Sequence, residues 1–222
     1  MVNLARVAML ATHMQYSENP MQDGSVVMAG RTRAQHPMSK SEAQDILQIG
    51  KDAFYKFLDD MERARLVDES AQGGLILSNW LFAKGRLPRQ KRYAAPTARL
   101  SVPKYQRLYT DNVKSAKEIG TVLRLIPFIH KSEHVLCWNP YEENLDLIAP
   151  LTFTDVCRVL GRSTNNVDKY RKRFEKNMSS MAVRDGQSTQ SLCTVDNYHE
   201  GRYAIFINAG LVYFKELMPL CQ

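Results

Sequence analysis

The chain has 222 residues, 44% of them hydrophobic, which is enough for one large domain or two small ones. Lys and Arg number 30 against 23 Asp and Glu, a formal net charge of +7, so polyanionic partners are favoured, nucleic acid before an anionic membrane surface. No apolar run approaches the roughly 20 residues that span a bilayer, and the four cysteines (Cys137, Cys157, Cys193, Cys221) form no CxxC pair, which argues against a zinc ribbon or a thioredoxin-like site.

The opening segment Met1–Ala11 is apolar but short, is interrupted by Arg6, and lacks a small-residue cleavage site. It is therefore expected to be structure rather than a leader, and the protein to be cytoplasmic with reduced, buried thiols. Leu4 to Met14 can form a first helix, and Ser25-Val-Val-Met-Ala29 a first strand. Ser39 and Glu42 then stand three apart, the spacing of a capping box, in which hydroxyl and acid satisfy each other's orphan backbone donors at a helix start. Pro37, two residues upstream, favours an extended approach. The short helix breaks at Gly50. Phe54, Phe57, Leu58 and Met61 then recur at i, i+3, i+4, i+7, the mark of a helix burying one face. Arg65–Glu69 and Gly74–Ser78 flank Gln72-Gly73 and read as a β-hairpin.

From Lys84 to Tyr109 the chain carries eight basic residues and no acid, with Tyr93, Tyr105 and Tyr109 interleaved. Pro88, Pro96 and Pro103 are expected to keep this stretch extended. It reads as a basic linker that tracks phosphates, Arg86, Arg89, Lys91 and Arg92 foremost. The blander alternative is a solvated tether.

The second half repeats the first at an offset of 113 residues, Ser39–Leu47 lying over Thr152–Leu160. Ser115 to His130 can supply its first helix, with Pro127 kinking or ending it, and His134–Trp138 its first strand. The acids Glu142, Glu143 and Asp146 concentrate in the loop that follows, which is expected to face away from nucleic acid or to meet a protein partner. Pro150, Thr152 and Asp155 reproduce the cap, in its Asp variant, and Gly161 the break. Val167, Tyr170 and Phe174 give the second helix its apolar stripe, with Arg171 where Leu58 stands. Ser191–Val195 and Arg202–Ile207 flank a second hairpin loop. A short capped helix, a tight turn and an amphipathic helix make a helix-turn-helix. With the hairpin the pattern is that of a winged helix, so the expected fold is mainly α with small β-wings: tandem winged helix-turn-helix domains over 1–83 and 112–222, joined by the basic linker 84–111.

The run Ile119-Gly120, Leu123, Leu125-Ile-Pro-Phe-Ile-His130, Val135-Leu-Cys-Trp-Asn-Pro-Tyr-Glu142 and Pro150-Leu-Thr-Phe153 resembles the uncharacterised winged-helix proteins of bacteriophages, prophages and plasmids of Gram-positive bacteria, grouped with replication or regulatory proteins. The resemblance extends over about Leu100 to Tyr213, and more loosely over the first helix-turn-helix. It implies a DNA-binding role in a mobile element and brings no catalytic motif. Asn165-Asn166 and Asp168 depart from it, making the second helix less basic at its start, and Leu211 to Gln222 matches nothing in it.

In a helix-turn-helix the second helix enters the major groove and its outer face reads base edges. That face is expected to present Lys51, Asp52, Tyr55 and Lys56 in the first copy. In the second it is expected to present Ser163, Thr164, Asn165, Asp168, Lys169 and Lys172, with Asn suited to adenine and Ser or Thr to several bases. Lys169-Tyr-Arg-Lys-Arg173 with Lys176 forms a further basic cluster, whose arginines point to phosphates or nearby acids. His130, His134 and Cys137 form H-x3-H-x2-C, but a strand near His134 would break ligand geometry, so no metal or other cofactor is expected. There is no P-loop, GxSxG or HExxH, nor the paired-histidine motif of plasmid nickases, so a non-enzymatic role is expected. The leading expectation is sequence-specific duplex DNA binding as a transcriptional regulator. A replication initiator or origin-binding protein would use the same surfaces, and a protein-interaction module that inhibits a host factor is the alternative from another class. The apolar tail, Leu211-Val-Tyr-Phe and Leu217–Leu220, either completes the second core, the preferred reading, or supports a homodimer.

Overall fold

The computed structural model describes residues 1–16, 25–30, 35–79, 81–84, 98–185, 188–198 and 202–214. The chain divides into two compact units, one of Val2–Ala94 and the other of Ala95–Gln222 with Met1.

In the N-terminal unit, helix α1 (Val2–Ala11) buries Ala5 and the run Val7 to Ala11 and packs against α2 (Lys40–Leu47). Helix α2 starts where Ser39 and Glu42 exchange hydrogen bonds. The Ser39 backbone N–H donates to the Glu42 carboxylate at 2.9 Å, and the Glu42 N–H donates to the Ser39 hydroxyl at 3.3 Å. These bonds, from the Ser39 backbone first, then its hydroxyl and His36, hold the Glu42 carboxyl down at about 2. The helix ends at Gln48, which is left-handed with φ 52°, rather than at Gly50, which instead precedes α3 (Lys51–Arg63). Helix α3 buries Phe54, Phe57, Leu58 and Met61, the stripe expected from their spacing. It leads into strands β4 (Val67–Glu69) and β5 (Leu75–Leu77), and β1 (Ser25–Val26) adds to β5, giving the antiparallel order β1-β5-β4. A further pair joins β2 (Met28–Ala29) to β3 (His36–Pro37).

The C-terminal unit begins with β6 (Ala98–Leu100) and α4 (Val102–Asp111). The expected linker over 84–111 is therefore corrected for its last half, 98–111. Pro103 lies in the first turn of α4, where its missing N–H removes no helical bond, so it starts the helix instead of keeping the chain extended. Tyr105, Leu108 and Tyr109, at i, i+3, i+4, are buried, and the two tyrosines are core residues rather than stacking platforms. Helix α5 (Ala116–Leu125) stops just before a 3-10 turn, Ile126–Phe128, that contains Pro127. Helices α6 (Phe153–Val159) and α7 (Val167–Ser180) follow a long loop. Then come two antiparallel hairpins, β7 (Ala182–Asp185) with β8 (Ser188–Ser191) and β9 (Cys193–Tyr198) with β10 (Arg202–Ile207). Strand β11 (Val212–Phe214) returns to pair with β6, burying Leu211 and Val212. That places Leu211 and Val212 of the apolar tail in this unit's core, while Tyr213 is exposed. Leu217–Leu220 lies outside the described residues.

The fold class is thus corrected. The described residues hold seven α-helices and eleven strands in five small antiparallel sheets, a mixed α/β architecture rather than a mainly α pair of winged helices with minor wings. The pattern underestimated the strands for a physical reason. Ser188, Thr189 and Gln190 of β8 are all exposed, so β8 shows no apolar alternation, and the β6–β11 pair joins residues more than 100 positions apart. Among the described residues no helix is long and apolar enough to cross a membrane.

Candidate nucleic-acid interface

The C-terminal helix-turn-helix segment is fixed by its own sequence. The Thr152 hydroxyl accepts from the Asp155 N–H at 3.2 Å, and the Asp155 carboxylate accepts from the Thr152 N–H at 3.0 Å. Partial burial raises the Asp155 carboxyl. The Thr152 hydroxyl and N–H and the Arg158 guanidinium outweigh that, and it titrates below its ordinary range. Gly161 follows α6 with φ +65°, a left-handed conformation that glycine adopts without strain, and no atom lies within 4 Å of where its Cβ would be.

Helix α7 is anchored by Phe174 and Met178, which are buried. The Phe174 ring meets Phe153 of α6 edge-on at 5.7 Å, and Tyr170 lies tilted against it at 5.9 Å. The Arg162 guanidinium sits 4.8 Å over the Tyr170 ring, covering the turn, and burial pushes the Tyr170 hydroxyl up to about 12. With one helical face fixed inward, the opposite face is determined by the roughly 100° step per residue. It carries Lys169, Lys172, Arg173 and Lys176, spaced i, i+3, i+4, i+7 and all exposed. The acids of α7, Asp168 and Glu175, fall at the edge of this stripe, where Glu175 lies 3.7 Å from Arg171. Arg173 lies 4.0 Å from Glu118 of α5, which also accepts from the Asn177 amide at 3.2 Å. The arginines thus reach nearby acids, while Lys169, Lys172 and Lys176 are offered outward.

The expected contact residues separate into three groups. Lys169 and Lys172 are on the exposed face of α7. Ser163, Thr164 and Asn165 are not on the helix. They are exposed in the turn before it, with the Ser163 hydroxyl accepting from the Asn165 N–H at 3.3 Å, because α7 begins only after Asn166. Lys51, Asp52, Tyr55 and Lys56 are exposed at the start of α3, on a face of mixed sign where Asp59 pairs with Arg63 at 2.7 Å. Arg86, Arg89, Lys91 and Arg92 lie outside the described residues. Lys84, which opens the basic stretch, is partly buried and donates to the Thr12 carbonyl at 3.1 Å. Burial lowers its ammonium below the usual lysine range.

Beside the stripe is a groove of about 650 Å³ that the sequence reading did not anticipate. Its floor is Phe174, Met178 and Cys193, its rim includes Lys172 and Lys176, and its far wall carries Tyr203 of β10. The i, i+3, i+4, i+7 spacing of the cations was visible in the sequence. The groove depends on packing β9–β10 against α7 and leaves no local pattern.

The H-x3-H-x2-C triplet is used structurally. His130 is fully buried, donating from Nε2 to the Glu142 carbonyl at 2.7 Å while Nδ1 accepts the Glu133 N–H at 3.2 Å, so the ring is the neutral Nε2–H tautomer. Burial pushes the Cys137 thiol up to about 11. Cys137, Cys157 and Cys193 are buried free thiols, and no group of three or more potential metal ligands forms among the described residues.

Comparison of the chain with protein-family models, with curated proteins and with solved structures found no match in any of the three.

Proposed function

We propose that this chain is a sequence-specific duplex DNA-binding protein of a mobile element, acting as a transcriptional regulator, with α7 as its main contact helix. The observation that carries the reading is the outward row Lys169, Lys172 and Lys176, continued by the exposed Arg173 beside Glu118, set opposite the buried Phe174 and Met178 with the helix's own acids at its edge. Cations at this spacing match a phosphate backbone running past a helix, and each phosphate neutralised releases condensed counterions. The polar turn Ser163–Asn165 stands at the N-terminal end of the same helix, the part of a recognition helix that reaches base edges. Lysines then supply affinity and the turn supplies selectivity. The mobile-element setting rests on the resemblance of Leu100 to Tyr213 to the phage and plasmid proteins.

The test is selection of bound fragments from the source genome by the purified protein at near-physiological salt. Enrichment of a short repeated or palindromic motif beside promoters is the expected result, and enrichment at an origin would reassign the role to replication. Asn165→Ala should broaden the enriched motif, whereas Lys172→Ala should weaken all fragments alike. Absence of any enriched motif would overturn sequence-specific binding.

A further inference from the structure

Nine large apolar side chains are exposed among the described residues, and four of them, Trp138, Tyr141, Leu145 and Leu147, fall within one ten-residue loop. Scattered singly, such residues need no explanation, but clustered they mark a contact surface. Leu147 is 61% exposed and Trp138 51%, although the loop that bears them is firmly framed. The Asn139 amide spans its base, donating to the Leu147 carbonyl at 2.9 Å and accepting from the Ala149 N–H at 2.8 Å. The Glu142 carboxylate accepts from the backbone N–H groups of Glu143 and Asn144, both at 3.0 Å, and the buried His130 ring holds the Glu142 carbonyl. The Trp138 ring rests edge-on against Phe128 at 5.8 Å. A rigid display of aromatic and aliphatic side chains loses little freedom on binding, which is how contact hot spots are built. The knob is also acidic: residues 138–150 hold Glu142, Glu143 and Asp146 and no Lys or Arg.

The same unit contains the complementary surface. The groove between α7 and the β9–β10 hairpin has an apolar floor of Phe174, Met178 and Cys193, and among its charged lining residues Arg171, Lys172 and Lys176 outnumber Glu175, which lies 3.7 Å from Arg171. Its volume of about 650 Å³ is in the range of sites that take up compact apolar groups. Apolar knob with acidic flanks and apolar groove with basic rim match in both shape class and charge. We infer that the acidic knob of one copy docks into the α7 groove of a second copy, a head-to-tail self-association. Two knobs would not pair with each other, because that would bring six carboxylates together against only one ammonium per copy, that of Lys131, 3.4 Å from Glu143. A head-to-tail contact leaves a free knob and a free groove at the ends, so it propagates unless the rotation closes a ring. The inference does not depend on the DNA-binding reading.

Sedimentation velocity of the full chain over a range of concentrations tests it, with circular dichroism to confirm that each variant is folded. The wild-type mass should climb beyond twice the 25.4 kDa monomer as concentration rises and fall back in high salt. Leu147→Asp removes the knob's most exposed anchor and Thr194→Trp fills the groove from an exposed strand position. Each variant alone should stay at the monomer mass. Mixed one to one, they should form a species of twice that mass and nothing larger, since only one intact knob and one intact groove remain per pair. Leu145→Asp and Tyr203→Ala serve as the second variants on each side. A wild type that stays monomeric throughout, a Thr194→Trp protein that associates as wild type does, or a mixture that forms no pair would each overturn the inference.

Discussion

Helices α2–α3 and α6–α7 begin with the same reciprocal cap, turn over three residues in the first pair and seven in the second, and continue into a helix anchored on buried aromatic or sulfur-bearing side chains. Their outer faces differ. Helix α3 carries three basic residues against four acids, and its Asp59 and Arg63 neutralise each other. Helix α7 carries five basic residues against two acids, with three lysines left outward. The backbone features repeat because both helices must satisfy the same orphan N–H groups and bury the same kind of stripe. The outer face is under no such constraint, so there the two copies are free to diverge. Structural repetition therefore does not imply two equivalent DNA-reading surfaces, and the proposed function assigns the principal contact to α7.

The sharpest way to break this comparison is to reverse two lysines on each helix. Lys169→Glu with Lys172→Glu should weaken duplex binding at least a hundredfold, roughly 3 kcal/mol or more from two lost and two repelled phosphate contacts. Lys51→Glu with Lys56→Glu should change it by less than about threefold. Fluorescence anisotropy on one labelled duplex measures both, and equal losses would show that α3 contributes as much as α7.

Next in size are the caps, where the two copies should agree. Ser39→Ala and Thr152→Ala should each destabilise their unit by about 1 kcal/mol in urea unfolding. The Glu42 carboxyl is held near 2 in the folded chain, below its ordinary 4.5. A depressed carboxyl contributes stability that is complete above the ordinary value and is lost as pH falls towards 2. Asp155 has the same sign. The cost should therefore shrink steadily below about pH 4.5 for Ser39→Ala and below about pH 3.8 for Thr152→Ala, and a pH-independent cost would remove the carboxylate from the account.

The smallest effects distinguish the turns. Gly161 and Gln48 are both left-handed, at φ +65° and 52°, but only one is a glycine. Gly161→Ala should cost about 1 kcal/mol from the clash of its Cβ with its own backbone carbonyl, with no added clash against neighbouring residues because space is open around the Cβ position. Gln48→Gly should stabilise by a few tenths to about 1 kcal/mol. Thermal unfolding should show the two shifts with opposite signs.

Particular residues explain how much could be read beforehand. Ser39 with Glu42 and Thr152 with Asp155 act over one helical turn and the stripe Phe54, Phe57, Leu58 and Met61 over two, so local spacing reveals both helix-turn-helix segments. Helix α4 was concealed by its charges and by Pro103, although Tyr105, Leu108 and Tyr109 had helical spacing. Strand β8 was concealed by its exposed polar residues, and the β6–β11 pair and the α7 groove by distance along the chain. Lys169 and Lys172 lie on the exposed face of α7, where their spacing predicts them. Ser163, Thr164 and Asn165 do not, because the helix starts one residue after Asn165-Asn166 instead of at the glycine break.

The salt dependence of duplex binding tests the central claim most directly. With Lys169, Lys172, Arg173 and Lys176 all replaced by alanine, the slope of log affinity against log salt should become shallower by about 3 to 4, close to one counterion per lost cation. A slope unchanged from wild type would contradict the assignment of the α7 stripe as the DNA-contacting surface.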